Sequence, residues 1–279
     1  MLKVGDKGYN VRRLQRMLLR LGYDLPKYGI DGDYGDETST AVEAFKQHIH
    51  QMITQEIDNK GIVSQELLAL TEAIYDRAIG WTSFQGGCSW RINDRGEIEI
   101  YGESIIFSAE DLQLVASIKD RFHSLIKLEG AKQNVDEALI TATICTESGG
   151  NSTVYRYEPN FYKRYIEDKP KWISNPYYNE PERISASYGL MQIMYSTAYG
   201  LGFREEPEEL YNVATNIYWG TYLLSKQSDI TQLDPVKVAA CYNAGGLYYS
   251  KDNKWHLKSY SNHIDRFVRF YNCVVNTWL

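Results

Sequence analysis

The sequence predicts a mainly α protein in two parts, a small three-helix module followed by a larger α-rich domain that carries a small β-hairpin element. Three observations predict it. An apolar stripe of helical period lies near the start of the chain, a capped apolar helix ends on a Gly-Gly pair near its middle, and a short run of strict alternation lies between them. The length of 279 residues exceeds what one small core usually organises and agrees with two domains. Apolar residues at 43% and charged residues at 24% argue against a disordered or fibrous chain.

Val11, Leu14, Leu18 and Leu21 fall at steps of three, four and three, one stripe of an amphipathic helix that Gly22 stops. A turn-rich stretch, KYGIDGDYGDET, leads to a second helix with Ala41, Val42, Phe45 and Ile49 on one side and Asp36 as its cap. After the turn residues Asp58 to Gly61, Ser64 caps a third helix with Leu67, Leu68 and Leu70, which closes a module over residues 1–72. Asp31, Asp33 and Asp36 do not make an EF-hand, because the sixth and twelfth positions hold Asp36 and Val42 where Gly and Glu are needed.

Residues 73–107 form a linker with its own hairpin. WRINDRGEIEIYG alternates around Asn93 to Gly96, and its apolar face of Trp90, Ile92, Ile98 and Ile100 is expected to pack on the second domain, residues 108–279. There, Asn134 followed by Glu137 reads as a capping pair opening a helix through ALITATICTE that Gly149 and Gly150 end. Ile140, Thr143, Ile144 and Glu147 share one face of it, so the Glu147 carboxyl continues an apolar stripe inward. Desolvation and the negative end of a helix both favour the protonated acid at such a position, which is what a general acid needs.

Three ordered motifs surround this acid: ESGGN at Glu147, SASYGLMQI at 185–193 and AACYNAGG at 239–246. Together they resemble soluble lytic transglycosylases and goose-type lysozymes, family 23 of the glycoside hydrolases, over residues 108–279. The front module, through VRRLQRMLLRLGY and IDGDYGDETSTAVEAFKQ, is similar to the three-helix peptidoglycan-binding domain found beside wall-degrading enzymes. The resemblance implies a lysozyme-like catalytic domain. It also implies that Glu147 protonates the β-1,4 glycosidic oxygen between N-acetylmuramic acid and N-acetylglucosamine. Ser187, Gly189, Met191 and Gln192 match the positions that shape the sugar site, and Tyr242 and Asn243 match the pair opposite the acid. The family has Ala where this chain has Cys241. Glu158 is the candidate second carboxylate of a hydrolytic alternative, against an ion pair with Arg156 or Arg164; otherwise Glu147 acts as acid and then base while the muramic C6 hydroxyl closes a 1,6-anhydro ring.

Other classes are weaker. A cysteine amidase or endopeptidase would pair Cys145 or Cys88 with His256 or His263, yet Cys145 faces away from Glu147. A non-catalytic wall-binding protein is opposed by the retention of Glu147, Gln192, Tyr242 and Asn243. The five histidines offer no H-E-x-x-H, so no metal is implied, and no phosphate loop or dinucleotide fingerprint implies a cofactor. A net charge of -6 draws the chain to neither nucleic acid nor anionic lipid, and no apolar run spans a bilayer. The four cysteines show no C-x-x-C pair and fit reduced thiols, while the opening residues reach Gly5 and Asp6 before a secretory core could form. The expectation is therefore a monomer of the phage endolysin type with peptidoglycan glycan strands as partner, made in the host cytoplasm and released to the wall in the periplasm.

Overall fold

A computed structural model describes residues 2–52, 80–93 and 95–278. In the front module, α1 (Tyr9–Arg20) buries Val11, Leu14 and Leu18 and is followed by Gly22 at φ 87°, a left-handed backbone that suits glycine. In α2 (Asp36–Met52), Ala41, Val42 and Phe45 are buried as expected. Asp36 corrects the expected cap: it is the first helical residue, where its charge still faces the positive helix end. The expected third helix lies outside the described residues. The acidic loop is organised by Gln15, whose amide nitrogen reaches Asp31 Oδ1 at 2.8 Å and Thr38 Oγ1 at 2.9 Å while its oxygen accepts Gly32 N–H at 2.8 Å.

The hairpin pairs β1 (Trp90–Ile92) with β2 (Ile98–Ile100), Trp90 opposite Ile100 and Ile92 opposite Ile98, and all four apolar side chains are buried. It docks on the second domain through polar anchors as well. Asn272 bonds both the N–H and the C=O of Ile98, at 2.7 and 2.8 Å, and Trp90 Nε1 donates to Asp234 at 3.0 Å.

A long helix, α3 (Ala109–Gln133), starts on a Ser108–Asp111 capping box and ends on Asn134 in the left-handed conformation. Asn134 thus closes α3 instead of opening the next helix. The N-cap of α4 (Glu137–Ser148) is Asp136, whose carboxylate accepts Ala138 N–H at 2.9 Å. The expected cap was two residues early because an Asn serves a helix end as well as a helix start. Residues 137–146 of α4 are all buried, and Gly149 at φ 59° ends it.

The chain then enters a smaller lobe: β3 (Tyr155–Tyr157), α5 (Pro159–Tyr165), short helical turns at Pro170–Ile173 and Pro181–Ile184, β4 (Ala186–Tyr188), β5 (Ile193–Met194) and α6 (Tyr195–Leu201). Its antiparallel sheet runs β3-β4-β5, and its own core includes Tyr188, Tyr195, Phe203 and Trp172, with Tyr195 edge to face against Tyr177 and Phe203, and Trp172 tilted on Tyr199. Tyr188 and Tyr195 belong to this core, and Tyr162, Tyr177, Tyr178, Tyr199 and Tyr211 pack against it. A 3-10 turn (Pro207–Tyr211), α7 (Val213–Lys226), a short turn at Ser228–Thr231, α8 (Pro235–Ala244) and α9 (His263–Thr277) complete the chain. α4 packs against α3, α7, α8 and α9, and one apolar core joins these helices to the hairpin and to α1 and α2. The front module is tied down by Arg16 Nε to Asp136 Oδ2 at 3.2 Å, by Leu25 N–H to Asn134 Oδ1 at 3.3 Å and by Arg12 to the Trp278 carbonyl at 3.2 Å. No described helix is long and apolar enough to cross a membrane.

Candidate active site

Glu147 occupies the last turn of α4, where the unpaired carbonyls of the helix end disfavour an added negative charge. Its side chain is 8% exposed, and Oε1 lies 2.8 Å from Nε2 of His263, which is 2% exposed at the first position of α9. Tyr242, half-buried on α8, faces the same carboxyl: burial and the Glu147 charge together push its phenol well above the ordinary value. Its hydroxyl donates to the Met191 carbonyl at 2.6 Å, a tie to the backbone between the lobes. Ser148 makes a second tie of the same kind, donating to the Leu190 carbonyl at 2.6 Å.

The segment 187–192 is built from inside. Ser187 and Met191 are buried, and Ser187 donates to Gln192 Oε1 at 3.0 Å. Gln192 holds a left-handed backbone at φ 46° with its amide nitrogen on Val154 O at 2.8 Å and Gly189 O at 3.0 Å. Gly189 is required twice over, by its φ of +70° and because a Cβ there would sit 2.5 Å from Asn216 Nδ2. Asn216, fully buried on α7, accepts Met191 N–H at 2.7 Å and donates to Tyr188 O at 2.8 Å and Leu210 O at 2.6 Å. Asn243 accepts Tyr260 N–H at 2.7 Å and so pins the strap that leads into α9.

The structure therefore gathers Glu147, Tyr242 and Met191 in one place, with Ser187, Gly189 and Gln192 as the frame of the neighbouring loop. Glu158 is at the N-cap of α5, its Oε1 2.6 Å from Arg156 Nε and its side chain 36% exposed. Asn216 and the contact of His263 with Glu147 are not foreseen in the sequence, where His263 enters only as a partner for a cysteine. The available signal for Asn216 was a lone amide amid the apolar positions of α7, and for His263 a histidine opening an otherwise apolar helix face.

The thiols are held protonated. Burial pushes Cys145 far above its ordinary range, with Cys273 and Asp111 adding to it, and pushes Cys88, Cys241 and Cys273 up to about 11. Since a thiolate is the nucleophile and the His263 ring is turned to Glu147, a cysteine mechanism lacks its base at Cys145. No group of three or more His, Cys, Asp or Glu that could hold a metal occurs among the described residues.

Comparison with known proteins gives a family for this arrangement. A model for the transglycosylase SLT domain matches residues 124–268, and one for a peptidoglycan binding domain matches residues 7–50. The type VI secretion system spike protein VgrG3 of Vibrio cholerae serotype O1 is 42% identical over 85 residues, 28% of this chain and 8% of that protein. The N-acetylmuramoyl-L-alanine amidase CwlL of Bacillus licheniformis is 48% identical over 46 residues, 16% of this chain and 13% of that one. The chain thus matches only about a tenth of the length of these curated relatives. The crystal structure of the Burkholderia AP3 phage endolysin aligns over 97% of both chains at 18% identity and a TM-score of 0.29. With the SLT model covering more than half of its residues, the chain belongs to the transglycosylase SLT domain family.

Proposed function

We propose that the protein cleaves the β-1,4 bond between N-acetylmuramic acid and N-acetylglucosamine in peptidoglycan strands by intramolecular transglycosylation, with Glu147 as acid and then base. The observation that carries this reading is the setting of Glu147: a nearly buried carboxyl at the negative end of a helix, with one oxygen held by His263. The acid gives its proton to the departing N-acetylglucosamine oxygen as the C1–O bond breaks. The muramic C6 oxygen then bonds to C1, and its proton passes to the Glu147 carboxylate, which restores the acid and leaves a 1,6-anhydro ring. No second carboxylate is needed. A hydrolase of the inverting kind would need one roughly 6.5–9.5 Å away to activate water. Glu158, engaged with Arg156 on the other lobe, is the alternative for that role.

Ser187, Gly189, Met191 and Gln192 serve the sugar site through the backbone they hold in shape, and Asn243 through the strap at Tyr260. The front module is the wall-binding part. Synthesis in a reducing cytoplasm before action on the wall is supported by four free cysteines. The deciding experiment is digestion of purified peptidoglycan by the wild type and by Glu147→Gln, with mass spectrometry of the fragments. Anhydro-muramic ends that vanish with the variant are the expected result. Reducing ends, one water heavier, would identify a hydrolase, and cut stem peptides or a fully active variant would refute the glycosidase reading.

A further inference from the structure

We propose that His263 is the positioning residue of Glu147: its Nε2–H donates to Oε1 and fixes the carboxyl so that the other oxygen meets the scissile bond. This rests on Glu147 being the acid.

The bond is 2.8 Å long and both side chains are more than nine-tenths buried. Nδ1 on the far side of the ring is buried with no hydrogen-bond partner among the described residues. A proton on Nδ1 would be a donor without an acceptor, out of reach of water, so the neutral ring with its hydrogen on Nε2 is the form this site suits. That form donates to Glu147 whether the carboxyl is charged or neutral, and so serves both halves of an acid-then-base cycle.

The chain is shaped to put His263 there. Ser261 and Asn262, immediately before it, both hold left-handed backbone at φ 53°, a conformation that costs most non-glycine residues energy and persists where the surroundings impose it. Asn243 accepts Tyr260 N–H at 2.7 Å, the Tyr260 carbonyl accepts His263 N–H at 3.1 Å, and the ring lies over Phe267 at 6.4 Å between centroids. A continuous path runs from Asn243 through Tyr260 and His263 to the carboxyl, which gives Asn243 a way to act on the reaction without touching sugar.

The test compares His263→Gln and His263→Leu with the wild type and Glu147→Gln on purified peptidoglycan. His263→Leu removes the donor and should lower kcat by about a hundredfold with KM nearly unchanged, while His263→Gln, which keeps an N–H but does not titrate, should recover to within about tenfold. Thermal melts accompany the assays. If the leucine variant does not fold, the 15N spectrum of histidine-labelled wild type decides: Nε2 protonated and Nδ1 bare at neutral pH is expected, and two protonated nitrogens would overturn the proposal. It is equally overturned if folded His263→Leu keeps its rate, or if the glutamine variant is as slow as the leucine one. Active Glu147→Gln would instead refute the function itself, whereas an inactive Glu147→Gln beside an active His263→Leu refutes only the role of His263.

Discussion

The two ends of α4 carry buried carboxylates of opposite character. At its start, Asp136 caps the helix, accepting Ala138 N–H at 2.9 Å, and meets Arg16 of the front module at 3.2 Å. There the positive helix end, the cap bond and a permanently charged guanidinium all meet the carboxyl with positive charge. At its finish, Glu147 faces helix carbonyls and the Tyr242 phenol, and its partner is an imidazole. Similar burial thus gives one carboxyl surrounded by positive charge, which holds the fold, and one set among helix carbonyls and neutral rings, which suits chemistry. Partner type and helix polarity separate the two, and burial does not.

Glu147→Gln should sharpen this contrast most. It should lower the rate of peptidoglycan cleavage by about a thousandfold, while the thermal midpoint stays level or rises, since an amide oxygen still accepts from His263 and no charge remains at the negative helix end. A fall in stability matching the loss of activity would erase the distinction between the two ends. At the other end the effects should be reversed. Arg16→Leu leaves Asp136 buried without its cation and should cost about 3 kcal/mol in urea denaturation, with specific activity of the remaining folded protein preserved. Full stability in that variant would mean that the front module contributes nothing to holding α4.

A smaller loss is expected from Asn216→Leu, which removes the side-chain partner of the Met191 N–H and of the Tyr188 and Leu210 carbonyls. About 2 kcal/mol of stability should go, because buried backbone groups lose a hydrogen-bond partner. Activity should drop as well, since the same residue carries the carbonyl that Tyr242 holds. Unchanged kinetics in a destabilised variant would place Asn216 with Asp136 on the structural side.

What the sequence made legible follows from how far apart the interacting residues lie. The stripe of α1, the alternation of the hairpin and the Gly149 stop after Glu147 are local patterns, and each is found where its spacing predicts. The caps were legible only to within two residues, because Asn134 and Asp136 are both good terminal residues and the choice between them depends on which helix reaches further. Arg16 with Asp136 and His263 with Glu147 are 120 and 116 residues apart, and no periodicity within either segment names the other. Glu147 itself was legible because a motif and a helix end coincide on it; its partner was not.

The smallest expected effect belongs to Glu158→Gln. Its carboxylate is about one-third exposed and pairs with Arg156, which is more exposed still, an arrangement that contributes little to stability once solvent screening is counted. Removing the charge should shift stability by less than about 0.5 kcal/mol, and the rate should hold within about threefold, with the fragments still ending in anhydro rings. The substitution is informative because it tests the contrast from outside. If a partly exposed, arginine-paired carboxylate proves as necessary as Glu147, then burial at a negative helix end is not what selects the reacting group here. The products would then end in reducing sugars, and water, activated by Glu158, would take the place of the C6 hydroxyl.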